Sequence, residues 1–381
     1  MTALRFSCAY GALFLMIGVF MPFWPLWLAD RGLDAEQIAW LLAIASWVRI
    51  ATTPALCRAY DRGGWLHHLP IVLVLVTTAG YALFAFAEGF WIFLLIQIFT
   101  AIAFQPLMPI IDSRAMAEVR AERLDYGRSR LWGSLSFILA TLGTGYLLEW
   151  QPVSIVLWLL LSALFLTLLA IATLPKASAS KATEQARKEH SRARLTEIFA
   201  KRPLVVCLVV GALIQGSHGM YYALGSLHWK SAGLSSETIG WLWSLGVIAE
   251  ILLFARGSLL LRQLGPSGLL IAAGLAGTLR WVILGTTTAL LPVLFAQTLH
   301  AFTFAATHLA LMHAISVYAP SRLASTTQAL NTSVGYGVAI GGAMLASGAL
   351  YEHFGGETYF AMAGLCLLAL AVLALSRRWA P

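Results

Sequence analysis

The sequence predicts an all-α membrane protein of twelve transmembrane helices arranged as two related bundles of six. Three observations carry that reading. Of 381 residues, 59% are hydrophobic and only 11% charged, where soluble domains carry about a quarter. Apolar runs of the roughly 20 residues needed to cross a bilayer as a helix follow one another from Phe6 almost to the C-terminus. The third observation is a repeat: Gly32-Leu33, Glu36, Ile38 and Trp40-Leu41 return 201 positions later as Gly233-Leu234, Glu237, Ile239 and Trp241-Leu242.

Taken in order, the first span, 6 to 28, runs too far for a secretory signal, carries Pro22, Trp24, Pro25 and Trp27, and lacks a small-residue cleavage site, so it is read as a retained helix. The second, 37 to 57, contains Arg49. The third and fourth, 69 to 87 and 90 to 111, lead to Asp112, and the fifth, 131 to 150, begins at Arg130. The sixth, 153 to 174, closes the first bundle, residues 1–174. A polar stretch, 175–203, rich in Lys, Arg and Glu, reads as a cytoplasmic linker, and 204–381 forms the second bundle. There the seventh span, 204 to 228, carries a polar stripe of Gly211, Gln215, His218 and Tyr222 on one helical face. The eighth, 237 to 258, carries Glu250; the ninth, 268 to 287, Arg280; the tenth, 290 to 314, His300. The eleventh, 325 to 349, holds Gly337 and Gly341 at the spacing of a helix-packing motif, and the twelfth is 358 to 376.

Orientation follows from basic residues. All but Arg31, Lys230, Arg49 and Arg280 of the 25 Lys and Arg fall in segments that face the cytoplasm when both termini are inside. The +8 net charge thus reflects topology and contact with anionic lipids, and gives no argument for nucleic acid. Cys8, Cys57, Cys207 and Cys366 lie in or at the ends of apolar spans at spacings that fit no metal site.

The repeat continues beyond its strongest stretch. Gln97, Ala101 and Phe104 match Gln297, Ala301 and Phe304, and Gly145 with Glu149 matches Gly348 with Glu352. Duplicated six-helix units suit a transporter that alternates access to a midplane site. The register sets Arg49 opposite Glu250. An ion at bilayer depth costs at least a few kcal/mol, so Arg49, Asp112, Arg130, Glu250 and Arg280 are functional candidates that need partners. Neutralising Arg49 or Glu250 alone is expected to impair uptake more than neutralising both, because a single change strands a charge; uptake equal or lower in the double variant contradicts this.

Among these depth-placed charges the three arginines exceed the two acids by one. An anionic cargo would balance the surplus, whereas a neutral one would leave an Arg uncompensated. Trp24, Trp27, Trp40, Trp241, Trp243, Tyr221 and Tyr222 include rings able to stack on an aromatic cargo, though interface anchoring accounts for many tryptophans.

After the second span the chain reads Arg58-Ala59-Tyr60-Asp61-Arg62-Gly63-Gly64. With twelve spans and a central linker, this resembles the D-R-x-G loop signature of the major facilitator superfamily, and the resemblance implies that Asp61, Arg62 and Gly64 form a conformational latch. Leu124-Asp125-Tyr126-Gly127-Arg128-Ser129-Arg130 following Asp112, and the set Glu250, Arg280 and His300, resemble the lactose permease branch. That likeness implies substrate contacts at Asp112, Arg130 and Arg280, and proton handling at Glu250 and His300. The branch has a carboxylate three residues after the His; here that position is Thr303, which leaves Glu250 or His300 as the proton carrier. Pro22 to Leu28, Trp241 to Glu250 and Leu279-Arg280-Trp281 are similar to the bacterial 3-phenylpropionate transporter group.

The resemblance implies a proton-driven inner-membrane permease, acting as a monomer without a cofactor, that takes up an aromatic carboxylate. A neutral sugar or a nucleoside is the alternative cargo. Arg49, Gln215, His218 and Tyr222 join the expected substrate-binding set. No H-E-x-x-H, G-x-S-x-G or phosphate-binding glycine loop supports an enzyme.

Overall fold

A computed structural model of the chain describes residues 1–61, 68–175, 196–320 and 323–376. The loop carrying Arg62 and Gly64, the side chain of Asp61 and most of the expected linker lie outside the described residues. Among those described, every regular element is helical. The first six are α1 (Thr2–Asp30), α2 (Ala35–Asp61), α3 (Leu69–Leu83), α4 (Phe90–Arg120), α5 (Tyr126–Leu147) and α6 (Ile155–Ala172). A helical turn, Thr196–Phe199, precedes α7 (Arg202–Ser231), α8 (Ser236–Ala255), α9 (Gly257–Thr286) and α10 (Leu290–Tyr318). The chain closes with α11, built from Ala324–Asn331, Thr332–Ala339 and Ile340–Phe354, and α12 (Tyr359–Leu375).

All twelve expected segments are therefore helical. Among the described residues nine stretches meet the length and hydropathy of a membrane span; the last, Thr326–Leu375, takes in most of α11 and all of α12, which turn at Gly355 with φ +53°. Boundaries shift where local chemistry dictates. The Asp125 carboxylate accepts from the Arg128 N–H at 3.0 Å, an N-cap that starts α5 at Tyr126 and not at 131. α4 runs on to Arg120 because its polar last turns are satisfied internally: Arg114 donates to the Tyr60 hydroxyl, and Glu118 accepts from Arg123 at 2.8 Å. In α9, Gly265 at φ +64° ahead of Pro266 separates an initial segment from the apolar span.

The repeat is structural as well as sequential. Gly32 and Gly233 adopt φ of +84° and +90°, and each ends its helix with the same pair of bonds. Gly32 N–H bonds to Ala29 C=O at 2.9 Å and Leu33 N–H to Leu28 C=O at 3.2 Å; Gly233 N–H bonds to Lys230 C=O and Leu234 N–H to Trp229 C=O, both at 3.0 Å. These are Schellman caps, which need a left-handed residue that glycine supplies without strain. The next helix starts alike: Asp34 accepts from Gln37 N–H at 2.7 Å and Ser235 from Thr238 N–H at 3.1 Å. No atom lies within 4 Å of a Cβ built on Gly233. Gly233→Ala is thus expected to lose about 1–2 kcal/mol, from backbone strain alone, read as a lowered melting midpoint in detergent.

By packing, the chain divides into two units. One comprises Met1–Ala179 with Tyr222–Ser244, the other Ser180–Tyr221 with Leu245–Pro381. In the first, Phe6, Tyr10, Leu13, Leu73, Leu107, Ile110, Ile111 and Ile171 build a core shared by α1, α3, α4 and α6. α1 lies close on α5 because Gly18 faces the Phe137 carbonyl and Ala140. The first half of α8 also packs on α5, where Gly240 faces the Thr141 carbonyl and Thr141 bonds Ser244 at 2.6 Å. In the second unit, Leu204, Cys207, Ile214, Leu269, Ala273, Ala305, Leu311 and Leu373 form the core of α7, α9, α10 and α12. Large apolar side chains such as Trp91, Trp150, Leu291 and Leu367 are left exposed, as a lipid-facing surface requires.

Candidate functional site

In the second unit the site begins with a broken helix. Gly216-Ser217-His218-Gly219 interrupts α7, a run of poor helix formers whose flanking glycines seat the break against α11. A Cβ on Gly216 would lie 3.0 Å from that of Ala339, and one on Gly219 would lie 2.7 Å from the Ala343 carbonyl carbon and Met344 nitrogen. Ser217 fastens the break: its hydroxyl donates to Ile214 C=O at 2.6 Å and accepts from Trp281 Nε1 at 2.9 Å. Trp281 stacks on Tyr359 with interplanar angle 5°.

This frame holds Arg280, which is 0% exposed. Its guanidinium carbon sits 4.7 Å from the Tyr221 ring centre and 4.4 Å from that of Trp281. Nη2 donates to Gln297 Oε1 at 2.8 Å; Nη1 donates to His300 Nδ1 at 2.7 Å and to Thr303 Oγ1 at 3.2 Å. A buried cation is tolerable here because it meets both aromatic faces and fixed acceptors.

Partners fix the histidine tautomers. Since His300 Nδ1 accepts from Arg280, its proton lies on Nε2, which donates to Glu250 Oε1 at 2.8 Å. His218 Nδ1 donates to Gln215 C=O at 3.1 Å, so its Nε2 accepts from the Thr303 hydroxyl, also at 3.1 Å. Glu250 and Gly246 share a face of α8, and Gly246 makes room for the imidazole: a Cβ there would be 3.2 Å from His300 Cδ2. His300 immediately precedes a π-helical turn, Ala301–Ala306, a distortion that recurs at functional sites. Gly277 lets α9 approach α10 and α12, its Cβ position lying 3.3 Å from Thr303 Cγ2. The result is one chain of groups, Glu250, His300, Arg280, Thr303 and His218, buried apart from the rim at Glu250.

The first unit holds a second cluster. Asp112 accepts from Tyr10 at 2.7 Å and Tyr126 at 3.3 Å. Arg130 lies over Phe14 at 4.0 Å and Tyr10 at 5.7 Å, with Gly133 leaving space for it. The acid and the arginine are thus linked through Tyr10, and no ion pair joins them directly among the described residues.

The structure therefore gathers Glu250, His300, Arg280 and His218 into one cluster, and Asp112 with Arg130 into another. Gln215 is buried beside the first through its backbone, and its side-chain amide has no hydrogen-bond partner among the described residues. Arg49 lies partly buried in α2. Tyr222 stacks on Trp243 at 6.1 Å, and Tyr221 faces Arg280, since the break in α7 disturbs the regular register of the stripe. Trp24 and Trp27 stack on each other at 4.6 Å inside a box of Tyr81, Phe84 and Phe93, a filled core. Sequence reading missed Tyr10, Ser217 and Gln297 as site-builders, and met Tyr126 only inside the motif that follows Asp112 and Tyr221 only as one of several rings able to stack on a cargo. Of the three missed, Gln297 carried a signal, its repetition of Gln97.

The description "MFS_1 like family" matches residues 3–362. The probable 3-phenylpropionic acid transporter of Escherichia coli (strain K12) is 31% identical over 365 residues, covering 96% of this chain and 95% of that protein. The maltose permease of Geobacillus stearothermophilus is 26% identical over 383 residues, covering 97% and 92%. Among solved structures, the nucleoside transporter NupG superposes with TM-score 0.79 at 15% identity over 98% of both chains. A D-xylose-proton symporter superposes with TM-score 0.72 at 15% identity, covering 100% of this chain and 98% of that one; these two likenesses speak to the fold. By sequence along almost its whole length and by its helical fold, the chain belongs to the MFS_1 like family and is a multi-pass membrane transporter, not an enzyme.

Proposed function

We propose that this transporter carries an aromatic carboxylate such as 3-phenylpropionate into the cell together with a proton, by alternating access, in the bacterial inner membrane with both termini cytoplasmic. The observation that carries the reading is the buried guanidinium of Arg280 set between Tyr221 and Trp281. A carboxylate suits the guanidinium, and the aromatic side chains gathered around it suit a cargo that carries an aryl ring. The surplus positive charge at depth and the 31% identical relative support the same cargo class.

The tautomers suggest how proton and cargo are linked. His300 has one lone pair, on Nδ1, and Arg280 Nη1 occupies it. A substrate carboxylate that draws Nη1 toward itself leaves Nδ1 able to take a proton, and the resulting imidazolium is held by Glu250 across the 2.8 Å contact. Cargo and proton then bind together. Arg49, Asp112, Arg130, Gln215 and Tyr222 keep their expected substrate-binding roles within this proposal, Asp61, Arg62 and Gly64 that of the latch, and the monomer is the functional form.

The test is purified protein in liposomes under an imposed inward proton gradient, offered labelled 3-phenylpropionate, lactose and uridine. Accumulation of phenylpropionate that collapses with a protonophore is the expected result. Accumulation of lactose or uridine alone overturns the carboxylate assignment.

A further inference from the structure

Beyond the Glu250 and His300 pair, the second unit contains another buried imidazole. His218 lies on the far side of Arg280, its ring centre 5.2 Å from that of His300. Between the two histidines stands Thr303, where lactose permease-like chains carry a carboxylate. Its hydroxyl has two acceptors for its one hydrogen: His218 Nε2 at 3.1 Å and the His300 carbonyl at 3.2 Å. It also receives Arg280 Nη1. A single guanidinium nitrogen thus bridges His300 Nδ1 and Thr303 Oγ1.

The path continues past His218. α7 and α10 run antiparallel, with Gly211 against Leu311 at one level and His218 against Thr303 at another. That register places Gln215 and Thr307 at the level between. Both are fully buried in side chain, and the Gln215 amide and the Thr307 hydroxyl lack hydrogen-bond partners among the described residues. Buried polar atoms in native proteins are satisfied, commonly by water. Two such groups in succession mark a polar continuation toward the end of α7 that begins at Arg202.

We infer that His218 is the second station of a proton relay, reached from His300 through the Thr303 hydroxyl. This rests on the proton-coupled reading above. When the cargo carboxylate withdraws Arg280 Nη1, the proton on His300 Nδ1 passes to Thr303 Oγ1 as the Thr303 hydrogen passes to His218 Nε2. The Thr303 hydroxyl is regenerated, His300 returns to neutral and His218 becomes an imidazolium. Because Arg280 Nη1 occupies His300 Nδ1 until the cargo carboxylate withdraws it, the relay runs only when cargo is bound. His218 and Thr303 are relay residues in this account, His218 in place of the substrate-binding role expected of it from the sequence.

Proteoliposomes measure three quantities with labelled 3-phenylpropionate: accumulation under a proton gradient, proton entry with the substrate, and counterflow exchange at equal pH. For His218→Asn and Thr303→Val the expected result is loss of accumulation and of proton entry with counterflow retained, and Thr303→Ser restores all three. Valine keeps the shape of threonine without its hydroxyl; a merely structural role of that hydroxyl, through its bonds to Arg280 and His218, predicts that counterflow falls together with accumulation in the valine variant. Full accumulation with proton entry in His218→Asn overturns the relay. Loss of counterflow in both His218→Asn and Thr303→Val also overturns it, by making these residues cargo-binding or structural. If wild-type protein moves substrate without protons, the coupled reading itself fails, a result distinct from either.

Discussion

Arg280→Gln abolishes accumulation of an aryl carboxylate and leaves the protein foldable. The guanidinium is the receptor for the carboxylate in this account, and it organises four neighbours: Gln297, His300, Thr303 and Tyr221. Removing one partner of a buried hydrogen-bonded charge pair costs about 2–5 kcal/mol, a fall in apparent affinity of at least about 30-fold. Lysine in its place restores the charge but neither the fork that reaches Gln297, His300 and Thr303 together nor the flat face that stacks on Tyr221 and Trp281. Uptake by Arg280→Lys is therefore expected nearer to that of the glutamine variant than to wild type. Substrate binding measured by tryptophan fluorescence, with Trp281 in contact with the guanidinium, separates affinity from turnover.

Gly219→Val is expected to give the largest loss of stability among single changes near the site. Its Cβ would meet backbone atoms of α11, at 2.7 Å from both the Ala343 carbonyl carbon and the Met344 nitrogen. Backbone cannot step aside as a flexible side chain does, so α7 and α11 must part. Forcing bulk into a packed interior costs about 1–3 kcal/mol or more, and the separation also unseats Ser217 and His218. A lowered melting midpoint in detergent together with lost accumulation is the expected pair. A Gly219→Val protein as stable as wild type argues that the α7 break is not fastened to α11. By contrast Gly342, with no atom within 4 Å of its Cβ position, should accept alanine with neither effect.

The architecture was legible because it follows from solvent. Long apolar runs must be helices in a bilayer, and the Gly32 and Gly233 repeat announced a duplicated turn whose identical left-handed caps the structure displays. The charges at depth were equally visible, because an ion in an apolar run is conspicuous in one dimension. What surrounds those charges was hidden. Tyr10 contacts Asp112 across 102 residues of chain, and nothing local distinguishes it from other interior tyrosines.

The polar stripe of α7 illustrates the limit of periodicity. Spacing assigned Tyr222 to the face of Gln215 and His218, but the break at Ser217 and His218 turns Tyr221 toward Arg280. Periodic templates assume an unbroken helix. The π-helical turns in α10 and α11 are invisible for the same reason. Thr303 was read from sequence only as a missing carboxylate, whereas its hydroxyl occupies the centre of the buried network.

In the proposed mechanism Glu250 and His300 carry a proton that moves only with the cargo held at Arg280. The direct measurement is the pH of a weakly buffered medium around proteoliposomes when 3-phenylpropionate is added, for wild-type protein and for Glu250→Gln. The expected result is an external alkalinisation with wild type and none with Glu250→Gln, which still exchanges labelled substrate at equal pH. An undiminished alkalinisation with the variant, or substrate entry into wild-type liposomes without any proton movement, contradicts it.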